Sequence, residues 1–158
     1  MDFSNFPHTI EGPDVNIIRD EELRTYVIEM LRAESRISFP KSSDNRYLVL
    51  QFRYQSKFIS FQVKVLDSSN VYRTITASNN RSTVKIVKDE AAIPLVLTSN
   101  SWQILKIDIE DVLTRCFGTS LVVSKSVVVE GITRLSKIYF EGEDYSDAQL
   151  PKFLRVVG

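Results

Sequence analysis

Between Ile59 and Val65 the chain alternates apolar and polar residues without a break: Ile59, Phe61, Val63 and Val65 against Ser60, Gln62 and Lys64. Side chains that alternate with a period of two point to opposite faces of an extended chain, so this segment specifies a strand with one buried face. The turn formers Asp67-Ser68-Ser69-Asn70 follow, and Val71-Tyr72-Arg73-Thr74-Ile75-Thr76 returns to residues that favour strands. That order predicts a β-hairpin. Similar runs lie at 26–30, 47–52, 83–87, 93–97, 102–107, 121–130 and 133–140, separated by polar loops such as Lys41-Ser42-Ser43-Asp44-Asn45 and Thr98-Ser99-Asn100-Ser101. Eight or nine short strands predict an all-β fold of two antiparallel sheets packed face to face.

One segment breaks the rhythm. Ile109, Val112, Leu113, Cys116 and Phe117 recur at helical spacing, with Asp108 placed as an N-cap, Asp111 in the first turn and Gly118 as a stop. They predict one short amphipathic helix over about 108–117, covering an open end of the sandwich. Residues 1–14 carry Pro7, Gly12 and Pro13 and show no periodicity. They read as an N-terminal arm, disordered or laid along the body, before a single sandwich domain over 15–158.

Charge and rare residues narrow the functional classes. Lys and Arg number 20, as do Asp and Glu, so the formal charge is zero. A partner held mainly by net positive charge, such as bulk nucleic acid or an anionic membrane, is not expected. One cysteine, Cys116, and one histidine, His8, leave no intramolecular disulfide, no cysteine-based zinc site and no multi-histidine site to assemble. No metal or cofactor is expected. Cysteine usage and the absence of a basic, apolar start at Met1-Asp2-Phe3-Ser4 read as an intracellular, unsecreted chain.

Catalysis has little to stand on. A Ser-His-Asp arrangement would depend on His8, in an arm that gives a base no fixed position. The acids Asp20-Glu21-Glu22 and Asp89-Glu90 read as solvated edges, and Cys116 as a buried, inert thiol on the apolar helix stripe. Glu141, Glu143, Asp144 and Asp147 could offer oxygens to calcium, but their spacing is not that of an EF-hand loop, and Ser146-Asp147-Ala148-Gln149 fits a capping box instead. Trp102 could serve as a sugar-stacking platform, but opening a strand it reads as core. Arg73, Arg81, Arg115, Arg134 and Lys137, dispersed among equal numbers of acids, read as surface charge unless they line one groove.

Beyond the hairpin the residues take on a family likeness. The stretch Phe61-Gln62-Val63-Lys64-Val65-Leu66-Asp67-Ser68-Ser69-Asn70-Val71-Tyr72-Arg73 resembles a signature of the cilia- and flagella-associated protein 20 family. Further likenesses follow in register: Ala77-Ser78-Asn79 with Ser82-Thr83, then Pro94, Leu97 and Trp102. Thr114-Arg115 with Phe117-Gly118-Thr119 is similar to the end of the family's helix, and Ile138-Tyr139-Phe140, Tyr145-Ser146, Leu150-Pro151 and Phe153 resemble its closing segment. The likeness is strongest from Phe58 to Phe153 and weaker back to about Val15.

The resemblance implies a jelly-roll-like β-sandwich with a non-enzymatic structural role in the axoneme or basal body of cilia and flagella. In the type member that role is at the inner junction of doublet microtubules, beside tubulin and the parkin co-regulated gene product. It implies partner contacts through one sandwich face and the loop Asn79-Asn80-Arg81, with Arg73, Arg115 and Lys137 as the other candidate contact residues. The chain departs from the family pattern in its opening residues before Val15, in an arginine-rich strand reduced to Arg73, and at Ser136-Lys137 in place of an arginine pair. It reads as a divergent paralogue or a distant homologue. A carbohydrate- or small-ligand-binding module is the alternative from another class, and a nuclear or RNA-associated member the alternative within the family.

Overall fold

The computed structural model describes residues 7–142. Along them lie β1 (Thr9–Ile10), β2 (Val15–Asp20), β3 (Thr25–Met30), β4 (Arg36–Phe39), β5 (Tyr47–Arg53), β6 (Ile59–Asp67), β7 (Tyr72–Ser78), β8 (Lys85–Val87), β9 (Glu90–Pro94), β10 (Trp102–Asp108), α1 (Ile109–Phe117), β11 (Leu121–Gly131) and β12 (Thr133–Glu141). They build a sandwich. A seven-stranded sheet has the order β1-β4-β11-β6-β7-β9-β8, and a five-stranded sheet the order β10-β5-β12-β3-β2. All pairings are antiparallel except β7 with β9, which run parallel.

The alternation of β6 is why its sheet has an inside. Ile59, Phe61, Val63 and Val65 are fully buried, whereas Lys64 is exposed on the other face. Leu48, Leu50 and Phe52 of β5 face them from the five-stranded sheet, and Ile37 and Phe39 of β4 and Val127 and Val129 of β11 extend the layer. The Phe52 and Phe61 rings meet edge to face with centroids 5.0 Å apart, joining the two sheets at the centre of the core.

The helix forms where expected. Asp108 accepts a hydrogen bond from the Asp111 amide at 3.0 Å, and Gly118 closes the helix in the left-handed conformation at φ 68°. Ile109 and Leu113 are fully buried, and Val112 and Phe117 pack against the core. Cys116 corrects the expectation for the stripe: it is half-buried and lies outside the core cluster. Cys116 lies within the stripe by angle but in the last turn of the helix, beyond the fully buried Ile109 and Leu113. Burial, then the charge of Asp111, holds its thiol above the ordinary value, so it remains a poor nucleophile.

Three strands were not evident from the sequence. β1 adds Thr9 and Ile10 to the edge of β4, inside the segment read as an arm. β4 is four residues long and β2 is an exposed edge in which Ile17 and Ile18 stand side by side. β9 occupies Glu90–Pro94, upstream of the expected run at 93–97. A tight turn at Lys88-Asp89 joins it to β8, and the parallel register with β7 fixes its place. Gly131, where β11 turns into β12, has φ 111°, and a Cβ there would lie 2.2 Å from the Phe58 carbonyl oxygen. Only glycine lets the chain pass so close.

Candidate functional site

The residues expected to contact a partner are dispersed. Arg73 sits on β7 with its side chain only 13 % exposed. Its Nε donates to Asp67 at 2.7 Å, its Nη1 donates to Asp89 at 2.8 Å, and its guanidinium lies 4.3 Å from the centroid of the Phe117 ring. Asp67 is buried at the end of β6 and also accepts from the Ser69 and Val71 amides at 3.0 and 3.1 Å. Burial works to raise its carboxyl pKa, but Arg73 and these turn amides outweigh it and hold the group below the ordinary value. The guanidinium thus locks the β6–β7 turn onto the helix.

Asn79 is likewise committed to the fold. Its Oδ1 accepts from the Ile59 amide and its Nδ2 donates to the Lys57 carbonyl, each at 2.9 Å, pinning the loop after β7 to the start of β6. Asn80 is exposed, and its Oδ1 accepts from the Ser78 hydroxyl. Arg81 is half-buried, with a buried Nε that meets no hydrogen-bond partner. Arg115 projects from α1 with 78 % of its side chain exposed and pairs with Asp111 at 3.0 Å, one helical turn earlier. Lys137 belongs to the other sheet, half-buried on β12, where burial pulls its ammonium below the ordinary value.

Arg134 does not join these cations in a groove. It donates to Asp20 at 2.7 Å and to Glu29 at 3.1 Å, tying the β2–β3 hairpin to β12. A depression of about 360 Å³ beside it is lined by Arg53, Tyr54, Gln55, Asn100 and Arg134. Both of its arginines are neutralised, Arg53 by Glu22 at 3.3 Å. Trp102 is 4 % exposed, which removes it as a sugar platform. It lies outside the central cluster of the core. Val27, Val49 and Gln51, which alternate with core-facing residues on β3 and β5, are also buried.

The outer face of the seven-stranded sheet is different. Lys64 and Tyr72 are exposed there beside Thr74 and Thr76, with Lys85, Val87 and Glu90 at the β8–β9 edge. Sequence reasoning named these residues only as strand formers, apart from Glu90, read as part of a solvated edge. The alternation of β6 does mark Lys64 as outward, but the parallel β7–β9 pairing that brings Lys85 and Glu90 to the same face leaves no local trace. Among the described residues no group of three or more His, Cys, Asp or Glu side chains is placed to hold a metal ion. Of the suggested calcium ligands, Glu141 pairs with Lys106 at 3.0 Å, while Glu143, Asp144, Asp147 and the capping box lie outside the described residues.

Fold and surface together define an all-β sandwich protein whose buried charges brace its own strands. Compared with known proteins, the sequence matches the CFA20 domain over residues 2–158. The chain belongs to the CFA20 domain family. The match reaches back into the opening residues, where individual motifs gave no likeness. The chain is 34 % identical to the cilia- and flagella-associated protein 20 of Chlamydomonas reinhardtii over 151 residues, covering 90 % of this chain and 79 % of that one. The proteins of the same name from Paramecium tetraurelia and Caenorhabditis elegans are 26 % and 24 % identical over 90 % of this chain and cover 78 % and 74 % of their own lengths. A solved structure of TmCBM61 in complex with β-1,4-galactotriose aligns at 13 % identity and a TM-score of 0.49, over 90 % of this chain and 91 % of that one.

Proposed function

We propose that this protein is a non-enzymatic structural component of cilia or flagella. It contacts doublet microtubules, or proteins bound to them, in the axoneme or basal body. The observation that carries this reading is the family match along residues 2–158, with relatives named as cilia- and flagella-associated proteins. The architecture suits such a task. Two sheets locked by a continuous core make a rigid wedge, and repetition along a filament turns modest contacts into avidity. Tubulin and the parkin co-regulated gene product are the partners this reading favours. A tagged copy expressed in ciliated cells should concentrate in the axoneme or basal body and remain there after detergent extraction; a copy that stays diffuse and is washed out would overturn the reading.

A further inference from the structure

The outer face of the seven-stranded sheet holds a trough whose positive charge is not neutralised by its surroundings. Register defines its floor. Lys85 pairs with Ala92, Ala92 with Thr76 and Thr76 with Gln62; in the next row Val87 pairs with Glu90, Glu90 with Thr74 and Thr74 with Lys64. Residues paired across strands share a face, so short side chains at Ala92, Thr76 and Thr74 line the bottom while longer ones rise around them. Two adjoining depressions of about 290 and 480 Å³ result, and they share Val87 and Glu90.

The charge balance follows from the ion pairs. Asp89 is occupied by Arg73 at 2.8 Å, and farther along the face Arg36 is held by Glu11 and Glu130 at 2.8 and 2.9 Å. What remains around the two depressions, among the described residues, is Lys64, Lys85, Lys88 and Arg81 against Glu90 and Asp89, because the charge of Arg73 is already balanced by the buried Asp67; four positive charges face two negative, a local excess of two. The whole chain has a formal charge of zero. Lys64 lies 5.3 Å from the centroid of the Tyr72 ring, and Arg81 presents a buried Nε with no hydrogen-bond partner.

We propose that this trough docks an extended, acidic polypeptide segment. Charge complementarity selects the acidic partner. The extended form is selected by β8, a three-residue edge strand with no neighbour beyond it among the described residues, flanked by exposed Val84 and carrying exposed Ile86. Such an edge offers backbone groups to an added strand, whose alternate side chains would reach over the trough. A second copy of this chain is a poor occupant, because pairing two β8 edges would crowd Lys85 and Lys88 of both copies together. A nucleic acid would find a single exposed aromatic of this trough, Tyr72, to stack on. The inference names a partner class for the structural role proposed above, and its test does not depend on where the protein resides.

The test is fluorescence anisotropy of a labelled oligoglutamate peptide titrated with the purified full chain at low and physiological salt. The wild type should bind saturably and more weakly as salt rises. Lys85→Glu/Lys88→Glu should weaken binding at least about tenfold. Arg19→Glu/Arg24→Glu, an equal change of net charge on exposed residues of the β2–β3 hairpin, should leave it within about twofold. Thermal unfolding of both variants, read by Trp102 fluorescence, confirms that they fold. No binding by the wild type, equal loss in both variants, or tighter binding of a single-stranded RNA through the same lysines would each overturn the proposal.

Discussion

Replacing Arg73 by methionine removes its charge while keeping a long side chain over Phe117, and so isolates what the guanidinium does. Asp67 would stay buried with the Ser69 and Val71 amides but without its one charged donor. A hydrogen bond between charged groups contributes about 1.5–3 kcal/mol, and breaking a fully buried pair costs about 3–5 kcal/mol. The 13 % exposure of Arg73 admits some water, and the second bond, to a 59 % exposed Asp89, adds at most about 1 kcal/mol. The expected loss is about 2–4 kcal/mol. Urea unfolding followed by fluorescence of Trp102, the single tryptophan, measures it. A double-mutant cycle with Asp67→Asn should give a coupling of at least about 1.5 kcal/mol.

The effect has a pH signature with a definite sign. Asp67 has a depressed carboxyl pKa in the folded state, so its contribution is complete above the ordinary value of about 3.9 and disappears as pH falls through the lower, folded value. The gap between wild type and Arg73→Met should therefore shrink in strong acid. An Arg73→Met variant within about 0.5 kcal/mol of wild type at neutral pH would mean that the residue is ordinary surface charge, and the bracing argument would fail.

Other outcomes follow from the same geometry. Gly131→Ala should destabilise the fold by more than about 3 kcal/mol, or prevent folding, because of the 2.2 Å approach to Phe58, whereas Gly118→Ala, with open space around it, should cost only about 1 kcal/mol; chemical denaturation compares them. Phe61→Ala should cost about 3–5 kcal/mol in the same assay by opening a cavity against Phe52. Asp20, Asp67 and Asp108 are all depressed: burial raises each, but a paired arginine and turn or helix amides outweigh it. Stability should thus be flat from about pH 5 to neutrality and fall below about pH 4. Cys116 should react slowly with a thiol reagent at pH 7 and speed up only above the ordinary thiol range; rapid reaction at neutral pH would contradict its raised pKa.

How far the sequence revealed this fold depended on whether a pattern was local. β6 and β7 were legible because nine and seven residues repeat their alternation several times, and α1 because cap, stripe and stop agree. β4 offers two inward residues, too few for a period, and β9 opens on Glu90, Ala91 and Ala92, which favour strands weakly and are placed by pairing on both sides. The candidate contact residues show the same division. Arg73 and Asn79 stand in recognisable motifs, and their hydrogen bonds reach Asp67, Asp89, Ile59 and Lys57, so those motifs record how the hairpin is held. The basic trough was hidden because Lys64, Lys85 and Lys88 become neighbours only through the parallel pairing of β7 with β9.

The ciliary structural role is tested most directly by co-sedimentation of the purified protein with salt-washed doublet microtubules, with bare single-walled microtubules as control. The account predicts that the protein pellets with doublets and stays in solution with bare microtubules. A protein that remains in the supernatant with both would contradict it.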